Sequence, residues 1–244
     1  MVRGFYTLAS GMITQNRVLD VISNNISNAD TVGFKKSDMT TKAFGDLLIE
    51  RVKNGSRTPI GHTTLMNTVD KTYTDYSQGA LNQTGRTLDF AINGSGFFGV
   101  QTDSGTVYTR SGSFNVDSDG YLVLKGKGRV LGRNGLIRPG TDDITSDDAG
   151  NILADGKNVG QLAVYTFADE DALKTTGEGV YTGGNAVLLN NPKVLWKYTE
   201  SSNVDMAQEM TNAISSQREL QSCSQALKMY DQILDEATTQ IGKI

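Results

Sequence analysis

The stretch that decides the fold is the N-terminal segment 5–29, which reads FYTLASGMITQNRVLDVISNNISNA. Its apolar side chains recur at alternating steps of three and four residues and are interrupted only by Gln15. They are Phe5, Leu8, Met12, Leu19, Ile22, Ile26 and Ala29. A mean spacing of about 3.5 residues is typical of the narrow seam of a coiled coil. The segment therefore predicts a long helix that needs a partner helix, and it ends at the Asn-, Asp- and Gly-containing cluster 28–33.

The C-terminal segment repeats this pattern. The seam runs through Met206, Met210, Ala213, Gln217, Leu220, Cys223, Leu227, Tyr230, Leu234, Ala237 and Ile241. Two successive steps of three, from Gln217 to Cys223, predict a local overwinding of the seam. Ser202 or Asn203 is the expected N-cap. Because both chain ends carry a seam, we expect the two helices to pair within a subunit and also to pack on neighbouring subunits.

Between the two helical segments the pattern changes to short alternating runs. Turn signals recur every eight to twelve residues over 76–196, which indicates an antiparallel β domain. Examples are the turns at 103–105 and 117–120, each of which is flanked by strand-like sequence. Asn93-Gly94 follows another such run and predicts a further hairpin.

These patterns together predict an α+β fold, with long N- and C-terminal helices packing as a coiled-coil-like pair and a central antiparallel all-β domain. We divide the chain into an N-terminal axial helix and motif (1–36), a connector (37–75), a β-rich domain (76–196) and a C-terminal axial helix (197–244). The connector is polar and poorly periodic, apart from a short helical candidate at 44–49.

The composition excludes several functions. The chain has 244 residues with 23 Lys and Arg against 27 Asp and Glu, a formal net charge of −4 that disfavours nucleic-acid binding. One cysteine, Cys223, and one histidine, His62, exclude an internal disulfide and leave almost none of the usual zinc ligands. No apolar run is long enough to span a membrane, and the N-terminus does not resemble a secretory signal. A membrane-surface helix is also disfavoured, because such helices have many Lys and Arg residues on the polar face and segment 5–29 has only Arg17.

Local motifs for catalysis or cofactor binding are incomplete. Residues 115–120 imitate the opening of a calcium loop, but the position that requires a bidentate Glu is Gly126. The glycines of 126–132 lie before strand-like rather than helical sequence, which argues against a dinucleotide site. His62 is expected in a solvated loop, and the paired carboxylates lie in turn-like sequence. We therefore expect no enzyme activity, no cofactor and no metal.

Several ordered motifs closely resemble those of the bacterial flagellar rod and hook proteins. The N-terminal signature is Ser10-Gly11-Met12 followed by LDVISNNISNADTVGFKK at 19–36. The entry to the β domain, QGAL at 78–81 and LDFAINGSGFF at 88–98, is similar to that of the family, as are YTRSGSF at 108–114 and DGYL at 119–122. The C-terminal motif combines Ser202-Asn203-Val204-Asp205 with Glu209-Met210 and Gln217-Arg218. The chain departs from the family pattern at Glu219, Leu220 and Cys223, and at Asp30 and Val32.

The resemblance implies a structural subunit of the flagellar basal-body rod, most similar to the distal rod type, that polymerises helically through its terminal helices and transmits torque from motor to hook. It implies contacts with sister copies, with other rod and hook subunits and with the flagellar type III export apparatus, and a location in the basal body after export without a cleavable signal peptide. The proximal rod subunit is the alternative within the family, and a rod-associated cell-wall hydrolase is the alternative in another class. The expected subunit-interaction residues are Phe5, Leu8, Met12, Leu19, Ile22, Asn25, Ile26, Gly33, Phe34, Asn203, Val204, Met206, Met210, Leu220, Leu227 and Leu234.

Overall fold

The computed structural model describes residues 2–53, 56–177 and 179–241. These residues form an N-terminal helix α1 (Val2–Ser27), a C-terminal helix α2 (Met206–Ile241) and, between them, β-strands with one short 3-10 turn (Glu170–Ala172). The strands are β1 (Ser37–Lys53), β2 (Ser56–Thr74), β3 (Leu81–Gln83), β4 (Phe90–Ile92), β5 (Phe97–Thr102), β6 (Gly105–Thr109), β7 (Asn115–Val116), β8 (Leu122–Leu124), β9 (Gly128–Gly132), β10 (Gly135–Leu136), β11 (Ile144–Ser146), β12 (Asn151–Ala154), β13 (Lys157–Gln161), β14 (Val164–Thr166), β15 (Lys174–Gly177), β16 (Val180–Thr182), β17 (Val187–Leu188), β18 (Val194–Trp196) and β19 (Tyr198–Glu200). The predicted α+β class, with a helix at each end and an antiparallel β domain between them, is confirmed.

The chain divides into two compact units. The terminal unit contains Met1–Ile26, Ser37–Tyr73 and Asp205–Ile244, and the central unit contains Ser27–Lys36 and Thr74–Val204. The terminal unit thus holds both long helices together with β1 and β2, and the central unit holds all the later strands.

The C-terminal helix begins at Met206 because Asp205 caps it. The Asp205 carboxylate accepts hydrogen bonds from the backbone N–H groups of Ala207 and Gln208, at 3.0 and 3.2 Å, which satisfies two of the donors that a helix start leaves open. The expected N-cap at Ser202 or Asn203 is therefore wrong. Those residues follow β19 as non-helical chain in the central unit.

The segment expected as a connector contains the two longest strands of the described chain. β1 and β2 have 17 and 19 residues and pair with each other. The helical candidate at 44–49 is wrong, because β1 covers it; a short apolar run does not by itself distinguish a helix from a strand. His62 also lies in a strand, β2, rather than in a loop, and its side chain is outside the described part of the structure.

The largest sheet of the central unit has ten strands. Its path runs β15-β16-β6-β5-β9-β8-β7, with β10 on β9, β14 on β5 and β17 on β14. The turns predicted at 103–105 and 117–120 do connect antiparallel partners, β5 to β6 and β7 to β8. The hairpin predicted at Asn93-Gly94 is wrong, because the strands on either side of it do not pair. β4 pairs with the distant β18 in a two-stranded sheet, whereas β5 belongs to the ten-stranded sheet. Long-range pairing overrides the local turn signal there.

The core of the central unit is rich in aromatic side chains. Phe90, Phe98 and Phe114 are fully buried, and the ring centroid of Phe114 lies 6.0 Å from that of Phe90 and 5.3 Å from that of Phe98. A second cluster surrounds Phe97 and Tyr181, whose ring centroids are 5.7 Å apart. The Phe98–Phe114 and Phe97–Tyr181 pairs are edge-to-face, and such contacts add to the stabilisation that burial provides.

Two three-stranded meanders in the central unit share one turn geometry. In β7-β8-β9 the carboxylate of Asp117 accepts two backbone N–H hydrogen bonds across its turn, and in β11-β12-β13 the carboxylate of Asp147 does the same. Each turn then needs a glycine with positive φ, which is 83° at Gly120 and 76° at Gly150. The same Asp-x-x-Gly spacing thus builds both turns.

Candidate functional site

The candidate site consists of the two helices of the terminal unit, which contact each other in an antiparallel register. A Cβ atom added at Gly4 would lie 2.7 Å from Oη of Tyr230, and one added at Gly11 would lie 4.0 Å from Sγ of Cys223. Further along, the Gln15 side-chain amide donates a hydrogen bond to the Glu219 carboxylate. From each of these pairs to the next, the step towards the C-terminus of α1 equals the step towards the N-terminus of α2. The two helices are therefore antiparallel and keep one continuous register.

The deepest contact of this seam is polar. Asn25 is fully buried and Glu209 is 2% exposed. The Asn25 amide donates to the Glu209 carboxylate at 3.1 Å. It also pairs with the backbone of Ser37, donating to the carbonyl oxygen at 2.8 Å and accepting from the N–H group at 3.0 Å. One amide therefore joins α1, α2 and the first residue of β1.

The buried face of α2 differs from the predicted seam at one step. Ser216 is 8% exposed whereas Gln217 is exposed, so the seam passes through Ser216. Glu209, Ser216, Cys223 and Tyr230 then recur every seven residues, and the predicted overwinding between Gln217 and Cys223 is wrong. The spacing of apolar residues could not reveal Ser216 or Glu209 as seam residues, because neither side chain is apolar.

On α1 the seam also uses residues that the apolar count passed over. Gly4, Gly11 and Asn25, which contact α2, belong to one heptad series that includes Val18. Glycine lets the helices approach closely, since any side chain at Gly4 would collide with the Tyr230 ring. The only signal that could have found these residues is their seven-residue repeat.

The outer faces of both helices carry exposed apolar side chains. Among the predicted interaction residues, Phe5 is 38% exposed, Met206 36%, Met210 48% and Leu234 37%. Other large apolar side chains that sequence reasoning did not select are equally or more exposed: Tyr6, Ile13, Ile214, Met229 and Ile233. Exposed apolar side chains in such numbers on one pair of helices are typical of a surface that contacts other proteins.

The other predicted interaction residues lie deeper. Ile22 is buried, and the half-buried ones are Leu8, Met12, Leu19, Ile26, Leu220 and Leu227. Four more belong to the central unit: Gly33 and Phe34 are buried there, and Asn203 and Val204 are half-buried. Gly33 has a φ of 71°, and a Cβ atom on it would come within 2.3 Å of the Ser111 nitrogen. Gly33 is thus explained by packing inside the chain, and a role in subunit contacts stays a prediction for all of these residues.

A buried ionic cluster in the central unit, Lys35–Glu200–Arg110, was not selected from the sequence. Nζ of Lys35 lies 2.5 Å from Oε1 of Glu200, and the Arg110 guanidinium lies 3.2 Å from Oε2. Lys35 also donates to the Ser77 carbonyl oxygen at 2.6 Å, and the Gly79 N–H group donates to Glu200 at 3.0 Å. The cluster thereby connects the segments that precede and follow the β domain in sequence.

The electrostatics of this cluster are unbalanced, because two cations face one carboxylate. The side chains of Lys35 and Glu200 are 0% exposed and that of Arg110 is 3% exposed. Burial lowers the pKa of the Lys35 ammonium below its ordinary value, although the Glu200 carboxylate acts in the opposite direction. Glu200 is therefore the group on which both buried cations depend.

Asn203 forms side-chain hydrogen bonds with backbone groups close to this ionic cluster in sequence. Its side-chain oxygen accepts a hydrogen bond from the Lys36 N–H group at 2.7 Å, and its amide donates to the Asp75 carbonyl oxygen at 2.9 Å. The backbone of Gly33 also donates to the carbonyl oxygen of Glu200 at 2.7 Å. The motifs around 33–36 and 200–203 therefore meet inside one unit.

The calcium-like turn is occupied by an arginine. Nε of Arg129 lies 3.1 Å from the Asp117 carboxylate, and its terminal nitrogen lies 2.6 Å from that of Asp119. Desolvation alone would raise the pKa of Asp117, but the Tyr121 N–H group and Arg129 hold it below its ordinary value. The guanidinium already neutralises the carboxylates that a calcium ion would need. Among the described residues, no group of three or more His, Cys, Asp or Glu side chains could hold a metal ion, and no described helix is long and apolar enough to cross a membrane.

Three segments of the chain match known protein families. Residues 5–35 match the family described as flagella basal body rod protein, and residues 91–154 match the flagellar hook protein FlgE/F/G D1 domain. Residues 197–240 match the flagellar basal body rod FlgEFG protein C-terminal family. The first and third matches include the helices of the candidate site.

Similarity to curated proteins extends over nearly the full length. The flagellar basal-body rod protein FlgG of Bacillus subtilis (strain 168) is 38% identical, with 97% of this chain and 98% of the relative covered. The FlgG protein of Caulobacter vibrioides is 31% identical over 96% of this chain and 97% of the relative, and the FlgF protein of the same strain is 29% identical over 100% of both. By these matches, the chain belongs to the bacterial flagellar basal-body rod protein family.

Proposed function

We propose that the chain is a structural subunit of the bacterial flagellar basal-body rod, and that it polymerises helically through its terminal helices to transmit torque from motor to hook. In this proposal residues 1–36 and 197–244 are the axial segments, 37–75 the connector and 76–196 the β-rich domain. The coiled-coil-like pairing of α1 with α2 belongs to the proposal as well.

One observation carries it. The contacts between α1 and α2 include glycine and polar side chains, while large apolar side chains such as Ile13, Met210 and Ile214 stay exposed. A helix pair that faced only water would place its apolar side chains at the seam instead. Exposed apolar faces on two long helices need neighbouring helices, and sister copies supply them.

The partners follow from the family. Head-to-tail contacts between copies form a closed ring only if the rotation from one copy to the next closes on itself. If it does not, the copies form an open helical polymer, which is the form that a rod requires. The ends of such a polymer must contact other rod and hook subunits. We further propose that the subunit reaches the basal body through the flagellar type III export apparatus.

The distal position in the rod is the finer part of the proposal. Within Bacillus subtilis, FlgG is 38% identical to this chain, whereas the hook-basal body complex protein FlhO is 27% identical. This difference favours a FlgG-like subunit over an FlhO-like one, and it supports the distal type that the sequence motifs imply. The cell-wall hydrolase is not favoured, since the relatives are named as basal-body rod proteins.

The proposal is tested by removing exposed apolar side chains from α2. We expect the double variant Met210→Ser/Ile214→Ser to keep the folded chain intact, because both side chains are about half exposed. We expect it to abolish motility and rod assembly in a strain that lacks the native gene, as measured by swimming assays and electron microscopy of purified basal bodies. The control is Gln225→Ser, an exposed polar change on the same helix. A motile strain with normal rods from the double variant would contradict the proposed role of this face.

A further inference from the structure

The seam between α1 and α2 is periodic but poorly filled. Its contact residues on each helix recur every seven residues, so sliding one helix by seven residues would bring a similar set of side chains together. A cavity of about 240 Å³ lies beside the seam and is lined by Val18, Ile22 and Ser216, among others. The seam glycines contribute no side chain to interlock. Apolar packing alone therefore does little to distinguish one register from the next.

The polar pair at the deep end of the seam does distinguish them. The Asn25 amide reaches the Glu209 carboxylate at 3.1 Å, and both side chains are at most 2% exposed. A slip of seven residues in one direction would place Glu209 opposite Val18, and a slip in the other would place Asn25 opposite Ser216. Either slip would separate the Glu209 carboxylate from the Asn25 amide, and the first would also place it against an apolar side chain. A buried polar pair is costly to separate in this way.

We propose that the buried Asn25–Glu209 hydrogen bond sets the axial register of α1 against α2. Asn25 is well placed for this because its amide also pairs with both backbone groups of Ser37, which fixes its orientation. A single buried polar pair can specify the register of a helix pair even where an apolar pair would be more stable. The register in turn decides which exposed apolar residues of the two helices stand side by side, and this consequence rests on the proposed function.

The native cysteine allows the register to be measured directly. Cys223 is the only cysteine in the sequence, and a Cβ atom on Gly11 would lie 4.0 Å from its sulfur. In the native register, the full chain carrying Gly11→Cys should form an intramolecular disulfide with Cys223 when oxidised with oxidised glutathione. The matched reporter is Val18→Cys, seven residues away, which reaches Cys223 only after the second of the two slips, the one that places Asn25 opposite Ser216. The measured quantity is the ratio of the two cross-linking rates, followed by a mobility shift under non-reducing conditions.

The register is then challenged at Glu209. Glu209→Gln keeps an acceptor of the same shape for the Asn25 amide, whereas Glu209→Leu removes the acceptor and leaves an apolar side chain of similar size. Because losing a hydrogen-bonding partner in a buried site is costly, we expect a ratio of about tenfold or more with Glu209 and with Glu209→Gln. We expect the ratio to fall towards one with Glu209→Leu, because the Asn25 amide then finds a side-chain acceptor on α2 only in the slipped register, where it faces the Ser216 hydroxyl.

Two outcomes would overturn the inference. A ratio that stays high in Glu209→Leu would mean that other constraints set the register. Equal cross-linking at both positions with native Glu209 would mean that the register is not fixed at all. Circular dichroism of each variant reports its helix content, so that loss of the helices is recognised separately. The cross-linking ratio is independent of assembly, and failure of the Met210→Ser/Ile214→Ser test would therefore leave this inference standing.

Discussion

The central unit and the terminal unit place their polar and apolar side chains in opposite ways. The central unit buries its aromatic rings, including Phe90, Phe98 and Phe114, and its buried charges face one another. The terminal unit buries a polar pair at its helix seam and exposes apolar side chains such as Ile13 and Met210. The first distribution is that of a domain with its own core, and the second is that of a surface made for partners. The difference separates the part of the chain that stabilises itself from the part that assembles.

The largest expected effect comes from a cavity in the central core. Phe114→Ala removes a fully buried ring that packs on Phe90 and Phe98, and we expect it to lower the free energy of unfolding by about 3–5 kcal/mol. The matched change in the terminal unit, Leu227→Ala, removes a half-buried side chain and should cost about 1 kcal/mol. Fluorescence of Trp196, the only tryptophan, reports the central unit during denaturation in urea, and circular dichroism reports the helices of the terminal unit. Equal losses for the two variants would remove the distinction between the units.

An effect of about the same size, but with an electrostatic cause, is expected at the ionic cluster of the central unit. Glu200→Gln leaves the cations of Lys35 and Arg110 buried without a carboxylate, and breaking a buried pair in this way costs about 3–5 kcal/mol. Lys35→Met instead leaves one cation with one carboxylate, so we expect less than about half of that loss. Urea denaturation of both variants measures the difference. A Lys35→Met variant as unstable as Glu200→Gln would show that the cluster needs both cations.

The smallest effect concerns alkaline pH. Burial raises the pKa of Tyr181 above its ordinary value, so the folded state holds this proton more tightly than the unfolded state, and stability should fall as pH rises above about 10. Lys35 acts with the opposite sign, because its pKa is lowered in the folded state and stability therefore rises with pH up to its ordinary value of 10.5. Melting temperatures between pH 8 and 11 should fall less in Tyr181→Phe than in the native chain, and more in Lys35→Met. A Tyr181→Phe variant with an unchanged pH profile would contradict the assignment.

Much of the fold could be predicted from local sequence. The two terminal helices and the turns at 103–105 and 117–120 have strong local signals, because helix periodicity and turn glycines act over a few residues. The strand at 44–49 and the separation of β4 from β5 could not be predicted in this way. The separation of β4 from β5 depends on β18, which is distant in sequence. The strand at 44–49 pairs with the next strand, β2, but a short apolar run does not distinguish a strand from a helix.

The candidate site shows the same division. Exposed residues such as Met206 and Met210 were found, because apolar residues at helical spacing are visible in the sequence. The Asn25–Glu209 pair and the Lys35–Glu200–Arg110 cluster joined residues that no spacing rule connects. The family resemblance predicts a contact role for Asn25, and Glu209 belongs to the C-terminal motif without a predicted role.

The sequence by itself determined the helical ends, the β-rich middle and the family of this protein, because periodicity, turn chemistry and ordered motifs are properties of neighbouring residues. Only the tertiary structure decided which face of each helix is buried and in which register the helices meet. It also decided which buried charges find partners. The physical reason is that burial and hydrogen bonding depend on the three-dimensional approach of distant segments, and small or polar residues such as Gly11 and Ser216 direct that approach without any hydrophobic signal.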